Sequence, residues 1–291
     1  MAEKRDKFLS CKKLDSFREK TFHIKPGTRV QSYEEAIEFV NERGFAFFWP
    51  VKECLLPSLW TAHTGRMTVP KNHDDPGHRT WAWKDDSLDK KVWYYAHILR
   101  HRATMVSLET IPYFYALSPN FGDPEQDYLI QYEEGNLTQE SKLIYEALIK
   151  EGALDRISLR KAAHLTSSNA EQLFNKALDD LQVELKVLPI GVAEVGAWKY
   201  SFIYELTHRQ FPWIIKKARP INENQARKYL MGRYFAALGV AQTKDLVRLF
   251  HWPQPNIEKA LAQMVKQGEL VPNWQVESQP GNWFVLPSLA G

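Results

Sequence analysis

Between Asn222 and Leu286 the apolar positions fall at helical spacing first and in short extended runs afterwards. Asn222 stands where a side-chain oxygen can cap a helix, and Ala226, Tyr229, Leu230, Tyr234, Ala237 and Leu238 follow at intervals of three and four. Gly239 supplies the left-handed residue that ends such a helix. The pattern then predicts a short helix capped by Thr243 and running to Leu249. A third begins near Pro255 and Asn256, continues through Ile257, Leu261, Met264 and Val265, and stops at Gly268. Glu269 to Trp274 and Asn282 to Leu286 read as two strands of a hairpin. Three helices and a β-hairpin in this order describe a winged helix-turn-helix, a common nucleic-acid-binding module.

The same order occurs upstream. Thr138 caps a helix carrying Leu143, Ile144, Ala147 and Leu148, and Gly152 closes it. Ser158 is placed to cap a short helix from Leu159 to Leu165, and Ser167 and Ser168 open a longer one with Leu173, Phe174, Ala177, Leu178 and Leu181. A hairpin follows, Leu185–Ile190 and Lys199–Leu206 around a tip from Gly191 to Gly196. The supersecondary unit therefore repeats after roughly 65–75 residues, the signature of a tandem array.

Nearer the N-terminus a helix after Ser32 buries Ala36, Ile37, Phe39 and Val40 and stops at Gly44. The run from Gly44 to Val51 reads as a buried strand or extended segment ended by Pro50, and Leu55 to Thr64 as a helix. Lys71 to Lys84 reads as irregular, and Asp89 to His101 as a basic, aromatic helix. The expected class is mainly α with small β-hairpins (α+β), built of tandem winged helix-turn-helix units. Expected divisions are a basic arm over 1–30, a divergent first unit with an aromatic–basic insertion over 31–117, an acidic linker over 118–137, and second and third units over 138–212 and 213–291.

With 44% hydrophobic and 25% charged residues, the 291-residue chain has the composition of a soluble globular protein. No apolar run approaches the roughly 20 residues that span a bilayer, so no membrane partner is expected. The N-terminus lacks the apolar core of a signal peptide. Two cysteines, Cys11 and Cys54, suggest unpaired thiols in a reducing, cytoplasmic setting. The net charge of +3 conceals an uneven distribution: His208 to Phe250 holds nine Lys/Arg against two acids, and Ser118 to Glu151 holds eight acids against two lysines. Such asymmetry steers a polyanion to one face, and it is equally what two solvated helical faces would show.

The densest polar cluster runs from His73 through Asp74, Asp75 and His78 to Arg79. Its imidazoles and carboxylates are candidate acids, bases or ligands, and a polar loop is the plainer reading. His97 and His101, four apart on the expected helix, could share a face, yet no established zinc spacing is present. Arg79, Trp81, Trp83, Lys84, Arg100 and Arg102 form an aromatic–basic run in which rings can stack on unpaired bases while cations track phosphates. Large core residues give the same run. The two predicted recognition helices contain no arginine, the commonest reader of guanine. Phosphate contacts are therefore expected from Lys216, Lys217, Arg219, Arg227, Lys228 and Arg233. No Walker loop, dinucleotide fingerprint or serine-hydrolase elbow is present, and neither cofactor nor metal is expected.

Residues 233–246 and 260–270 resemble the last winged helix of the bacterial crosslink-repair DNA glycosylases of the AlkZ/YcaQ type, and the similarity extends over residues 30–286. The resemblance implies three tandem winged helices, with DNA as a partner bound largely without regard to sequence. The family's C-terminal β-barrel is expected to be absent, since the chain ends shortly after the third wing. It also implies a Gln-apolar-Gln or Gln-apolar-Asp motif in the first unit. The best match is Phe47-Phe48-Trp49 ahead of Pro50 and Val51, in which Phe47 and Trp49 replace both polar positions. Fold and DNA contact are thus implied more strongly than base excision. An active glycosylase using the cluster at His73–Arg79 and a protein-docking scaffold are the two alternatives.

Overall fold

The computed structural model describes residues 7–72, 74–120 and 122–291. The chain divides into two compact units, one formed by Met1–Thr80 with Asn224–Gly291 and the other by Trp81–Glu223.

The first unit contains the three helices and hairpin read most clearly from the sequence. They are Glu223–Leu238, which begins at the unit boundary, then Thr243–Phe250, Gln254–Lys266 and the strands Val271–Val276 and Gln279–Val285. Thr243 is the first helical residue rather than the cap. Gln242 caps the second helix, and Asp245 reaches back to the Gln242 N–H at 2.9 Å in a capping box. The hairpin belongs to a four-stranded sheet in which Val240–Ala241 pairs with its second strand and Phe8–Leu9 lies parallel to its first.

That last strand comes from the expected basic arm, which is an integral element. Ser10 Oγ accepts the Lys13 N–H at 3.3 Å to start a helix over Cys11–Thr21. Leu9 and Leu14 pack with Val240, Trp274, Val276, Trp283, Val285 and Leu289. Arg18 Nε donates to the Leu238 carbonyl at 3.1 Å and Thr21 Oγ1 to that of Ala237 at 2.7 Å. These bonds satisfy carbonyls that the end of helix Glu223–Leu238 leaves open. Gly239, at φ +80°, turns the chain there, and a Cβ on it would lie 2.6 Å from Leu289 Cδ1. The same unit holds helices Tyr33–Arg43 and Leu59–Thr64, both started by serine caps.

In the second unit, helices Gln139–Glu151, Arg156–Ala162 and Ala170–Val183 precede a hairpin, Val187–Ala193 with Ser201–Leu206. Leu154–Asp155 adds a third strand. Ile144, Leu148, Leu159, Phe174, Leu181, Val187 and Leu206 are at the centre of its core. The second helix starts three residues before the expected position. Asp155, not Ser158, caps it, taking the N–H groups of Ile157 and Ser158 at 2.9 and 3.1 Å.

Two expectations fail in this unit for physical reasons. Ser118–Gly135 contains a helix, Pro124–Glu133, with proline in the first turn, where its missing N–H costs nothing. Asp127, 4% exposed, accepts the N–H groups of Gly122 and Asp123 at its entrance. Asp89–His101 is not a helix: Tyr94–Leu99 and Arg102–Val106 form an antiparallel hairpin. Tyr94, Tyr95, Ala96, Ile98 and Leu99 are all buried, so no polar helical face exists, and the tyrosines and isoleucine favour a strand. The two-residue turn places Arg100 and His101 at φ +59° and +51°, as a tight hairpin connection requires.

Candidate nucleic-acid interface

In the second unit the aromatic–basic run divides into interior and surface parts. Arg79–Asp85 is helical rather than extended, so Trp81 and Trp83, two positions apart, point to opposite sides. Trp83 is buried, while Trp81 is half-buried with its ring 6.0 Å from Tyr200. Lys84 is 1% exposed. Its Nζ lies 2.5 Å from Asp85 Oδ1 and donates to Tyr200 Oη at 2.8 Å, and Tyr200 in turn donates to Asp85 at 2.9 Å. The ammonium also sits 4.7 Å from the centre of the Trp81 ring and 4.5 Å from that of Phe202. Burial lowers the Lys84 pKa against the opposing pull of Asp85, and burial raises that of Tyr200. Lys84 is thus an interior cation, and its expected role on a phosphate is withdrawn: a phosphate could reach it only by displacing these partners.

The surface cations of this unit lie on short projections. His101 and Arg102 are exposed at the turn of hairpin 94–106, with Arg100 half-buried beside them; Arg79, exposed too, belongs to the first unit. His97 faces Asp179 at 2.8 Å and sits on the strand, so it shares no helical face with His101. Lys216, Lys217 and Arg219 are exposed on and just after helix Ile214–Ala218, with Lys217 Nζ 4.7 Å from the Trp213 ring centre. The loop joining Val187–Ala193 to Ser201–Leu206 carries Trp198, 91% exposed and beside the exposed Lys199. Trp198 escaped the sequence reading because periodicity reports buried positions and is silent on the apex of a loop.

In the first unit, the cations expected on helix Glu223–Leu238 are half-buried and engaged within the fold. Arg227 lies 5.9 Å from the Trp252 ring, which stacks on Phe250. Lys228 Nζ is 2.6 Å from Glu269, and Arg233 donates to Tyr229 Oη at 3.0 and 3.2 Å. A more open arrangement lies alongside them. Gln242, Thr243, Lys244, Val247, Arg248, Gln254, Gly281 and Asn282 line a groove of about 620 Å³ between the second helix, the start of the third and the hairpin. Lys244 and Arg248 are exposed, one helical turn apart. Arg248 donates to the backbone carbonyl of Glu53 at 3.2 Å, a bond that does not neutralise its charge. The acid of this helix, Asp245, is held in the capping box, and none of the groove-lining residues is a carboxylate. The i, i+4 pairing of Lys244 with Arg248 was the available signal.

A family model described as AlkZ related matches residues 30–251. The chain belongs to the AlkZ-related family. Its fold is similar to that of the Streptomyces sahachiroi DNA glycosylase AlkZ, at a TM-score of 0.62 over 97% of this chain and 71% of that one. At 15% identity the likeness is one of fold. No curated protein matches the chain.

In this AlkZ-related chain the segment expected from the sequence at the polar motif is apolar and packed. Phe47 is fully buried and Phe48 nearly so, and the Phe47 N–H donates to the Pro57 carbonyl at 3.0 Å. Trp49, 36% exposed, offers neither an amide nor a carboxylate. His73 of the second candidate cluster lies outside the described residues. Asp75 accepts two bonds from Arg66, at 2.6 and 3.0 Å, and the Gly77 N–H at 2.8 Å. The bonds from Arg66 and then from Gly77 hold its carboxyl at about 2, so it is no proton donor near neutral pH. Asp74 is exposed, its own N–H bonded to Asn72 Oδ1. Among the described residues no group of three His, Cys, Asp or Glu is placed to hold a metal ion, and no helix is long and apolar enough to cross a membrane.

Proposed function

We propose that this chain is a DNA-binding, glycosylase-like repair protein of winged-helix architecture. It holds DNA chiefly through phosphates and lacks the polar pair with which such enzymes break the glycosidic bond. The observation that carries the reading is the groove bearing Lys244 and Arg248, whose lining residues include no acid, with Asn282 as a neutral donor and Gln254 bonded to Glu258 at 2.7 Å at its edge. Cations and amides of this kind meet phosphate oxygens without reading sequence. Exposed Lys216, Lys217, Arg219 and Arg102, with half-buried Arg100, extend the set in the second unit. Helices Ala170–Val183 and Gln254–Lys266 contain no arginine, which agrees with binding that ignores base identity. A buried Phe47 and an indole at Trp49 can neither position a water nor offset a developing oxocarbenium charge.

The test is a titration of labelled single-stranded, intact-duplex and abasic-site DNA at two salt concentrations, with base release from an alkylated duplex followed in parallel. Expected are binding that weakens steeply with salt, by about 0.9 in the log–log slope per phosphate contact, and no base release. Lys244→Ala with Arg248→Ala should reduce that slope by up to about 2. No binding at low salt would overturn the proposal and leave these units as protein-docking surfaces. Base release lost in Asp74→Asn would overturn the inactive assignment and locate an acid in that loop.

A further inference from the structure

Six of the tryptophans in this chain, Trp60, Trp83, Trp93, Trp274 and Trp283 in the core and Trp198 outside it, show how differently the residue is used. The first five are at most 8% exposed, whereas Trp198 is 91% exposed. We propose that Trp198 is a stacking plate for an unpaired nucleobase, with Lys199 beside it for the flanking phosphate; the proposal rests on the DNA-binding reading above.

The support is geometric. Gly196 to Lys199 form a turn closed by the Lys199 N–H on the Gly196 carbonyl at 3.2 Å, with φ of +81° at Gly196 and +49° at Lys199. Trp198 occupies the third position of that turn, at the apex. Both roots of the loop are fixed. On one side Tyr200 is tied to Asp85 and Lys84, and the strand after it pairs with Val187–Ala193. On the other, Ala193 pairs with Ser201, and Gly196 comes close to Ile157, where an added Cβ would stand 3.2 Å from Ile157 Cδ1. The backbone is therefore pinned while the indole projects, an arrangement that limits the ordering cost of a contact.

The surroundings select the occupant. Contiguous apolar patches of several hundred Å² mark the docking sites of protein or lipid partners. The residues flanking Trp198 are Glu194, Gly196, Ala197 and Lys199, small or charged; the other exposed apolar side chains at the loop are Val195, 36% exposed, and Ile157, 39% exposed and close to Gly196. A ring 91% exposed with an adjacent cation matches the face of a single base and its phosphate. A base stacked in an intact duplex has no free face, so the ligand is a base exposed at a gap, opposite an abasic position or in a single strand.

The experiment compares wild type with Trp198→Ala and Trp198→Phe on single-stranded, abasic-duplex and intact-duplex DNA. Alanine should weaken the first two about 5- to 150-fold while leaving intact duplex and its salt dependence unchanged, and phenylalanine should retain most of the preference. The exposed position predicts an unchanged Tm for both variants. Equal affinity of Trp198→Ala and wild type on all three DNAs would overturn the stacking role while leaving phosphate binding standing. Loss by one common factor on all three would also overturn it. A wild type that binds no DNA at low salt would sink the parent reading together with this one.

Discussion

A lysine whose ammonium is enclosed by Asp85, Tyr200, Trp81 and Phe202 serves the fold, whatever its place in a basic, aromatic sequence run. Lys84 lies on the helix that ends at Asp85, so ion and counter-ion come from consecutive residues, and Tyr200 closes the set from the root of the Trp198 loop. Removing the cation would leave a partly buried carboxylate and a tyrosine hydroxyl facing an apolar gap. Lys84→Met should therefore destabilise the protein by about 3 kcal/mol, toward the low end for a broken buried pair because Asp85 keeps some contact with solvent. Denaturant unfolding measures this. The DNA salt slope of the folded variant should equal that of wild type, and a reduced slope at unchanged stability would return Lys84 to the phosphate-binding set. Nothing in the spacing of Arg79, Trp81, Trp83 and Lys84 separates the two roles. Position on a helix decides burial here, and the helix was not visible through the Pro76–Gly77 turn that precedes it.

Elements with one polar face were legible, and those without one were not. Helix Gln139–Glu151 and the three helices between Glu223 and Lys266 alternate apolar and charged positions with a 3.6-residue period, and their existence followed directly. The start of Thr243–Phe250 moved by one residue and that of Arg156–Ala162 by three, because Gln242 and Asp155 could cap as well as the hydroxyl residues that follow them. The strands Tyr94–Leu99 and Arg102–Val106 are covered on both faces, which removes the period-2 signal, and their turn uses Arg100 and His101 where glycine or asparagine usually announces a hairpin. That turn has a measurable cost. Replacing Arg100 by Asn and His101 by Gly relieves two left-handed side-chain positions and should stabilise the hairpin by about 1 kcal/mol in thermal unfolding. The same change removes a cation from the tip, so DNA affinity should fall as stability rises. A double variant that is both less stable and equally tight on DNA would refute the assignment of the tip as a binding projection held in a strained turn.

The first unit is assembled from both ends of the chain, and this changes what the N-terminal charge means. Residues 1 to 30 carry nine Lys/Arg, a composition that on its own suggests a flexible tail wrapped on DNA. In the fold several of these cations are occupied: Lys13 Nζ donates to the Leu289 and Gly291 carbonyls at 3.0 and 2.6 Å, Arg18 donates to Leu238, and Lys25 pairs with Glu19. Leu9 and Leu14 are each 1% exposed, packed against the sheet whose other strands lie more than 230 residues away. Burying two leucines contributes roughly 3–6 kcal/mol, comparable to the whole net stability of a typical domain. Deleting residues 1–21 removes both, together with the strand at the sheet edge and the bonds that satisfy the end of helix Glu223–Leu238. The deletion should therefore lower the Tm sharply and expose Trp274 and Trp283, read as a red shift in tryptophan emission, with amide exchange rising first at Val271–Val285. A disordered phosphate-binding tail would behave in the opposite way, with an unchanged Tm and a salt slope smaller by several contacts. Only one of these pairs of outcomes is compatible with an arm that completes the sheet.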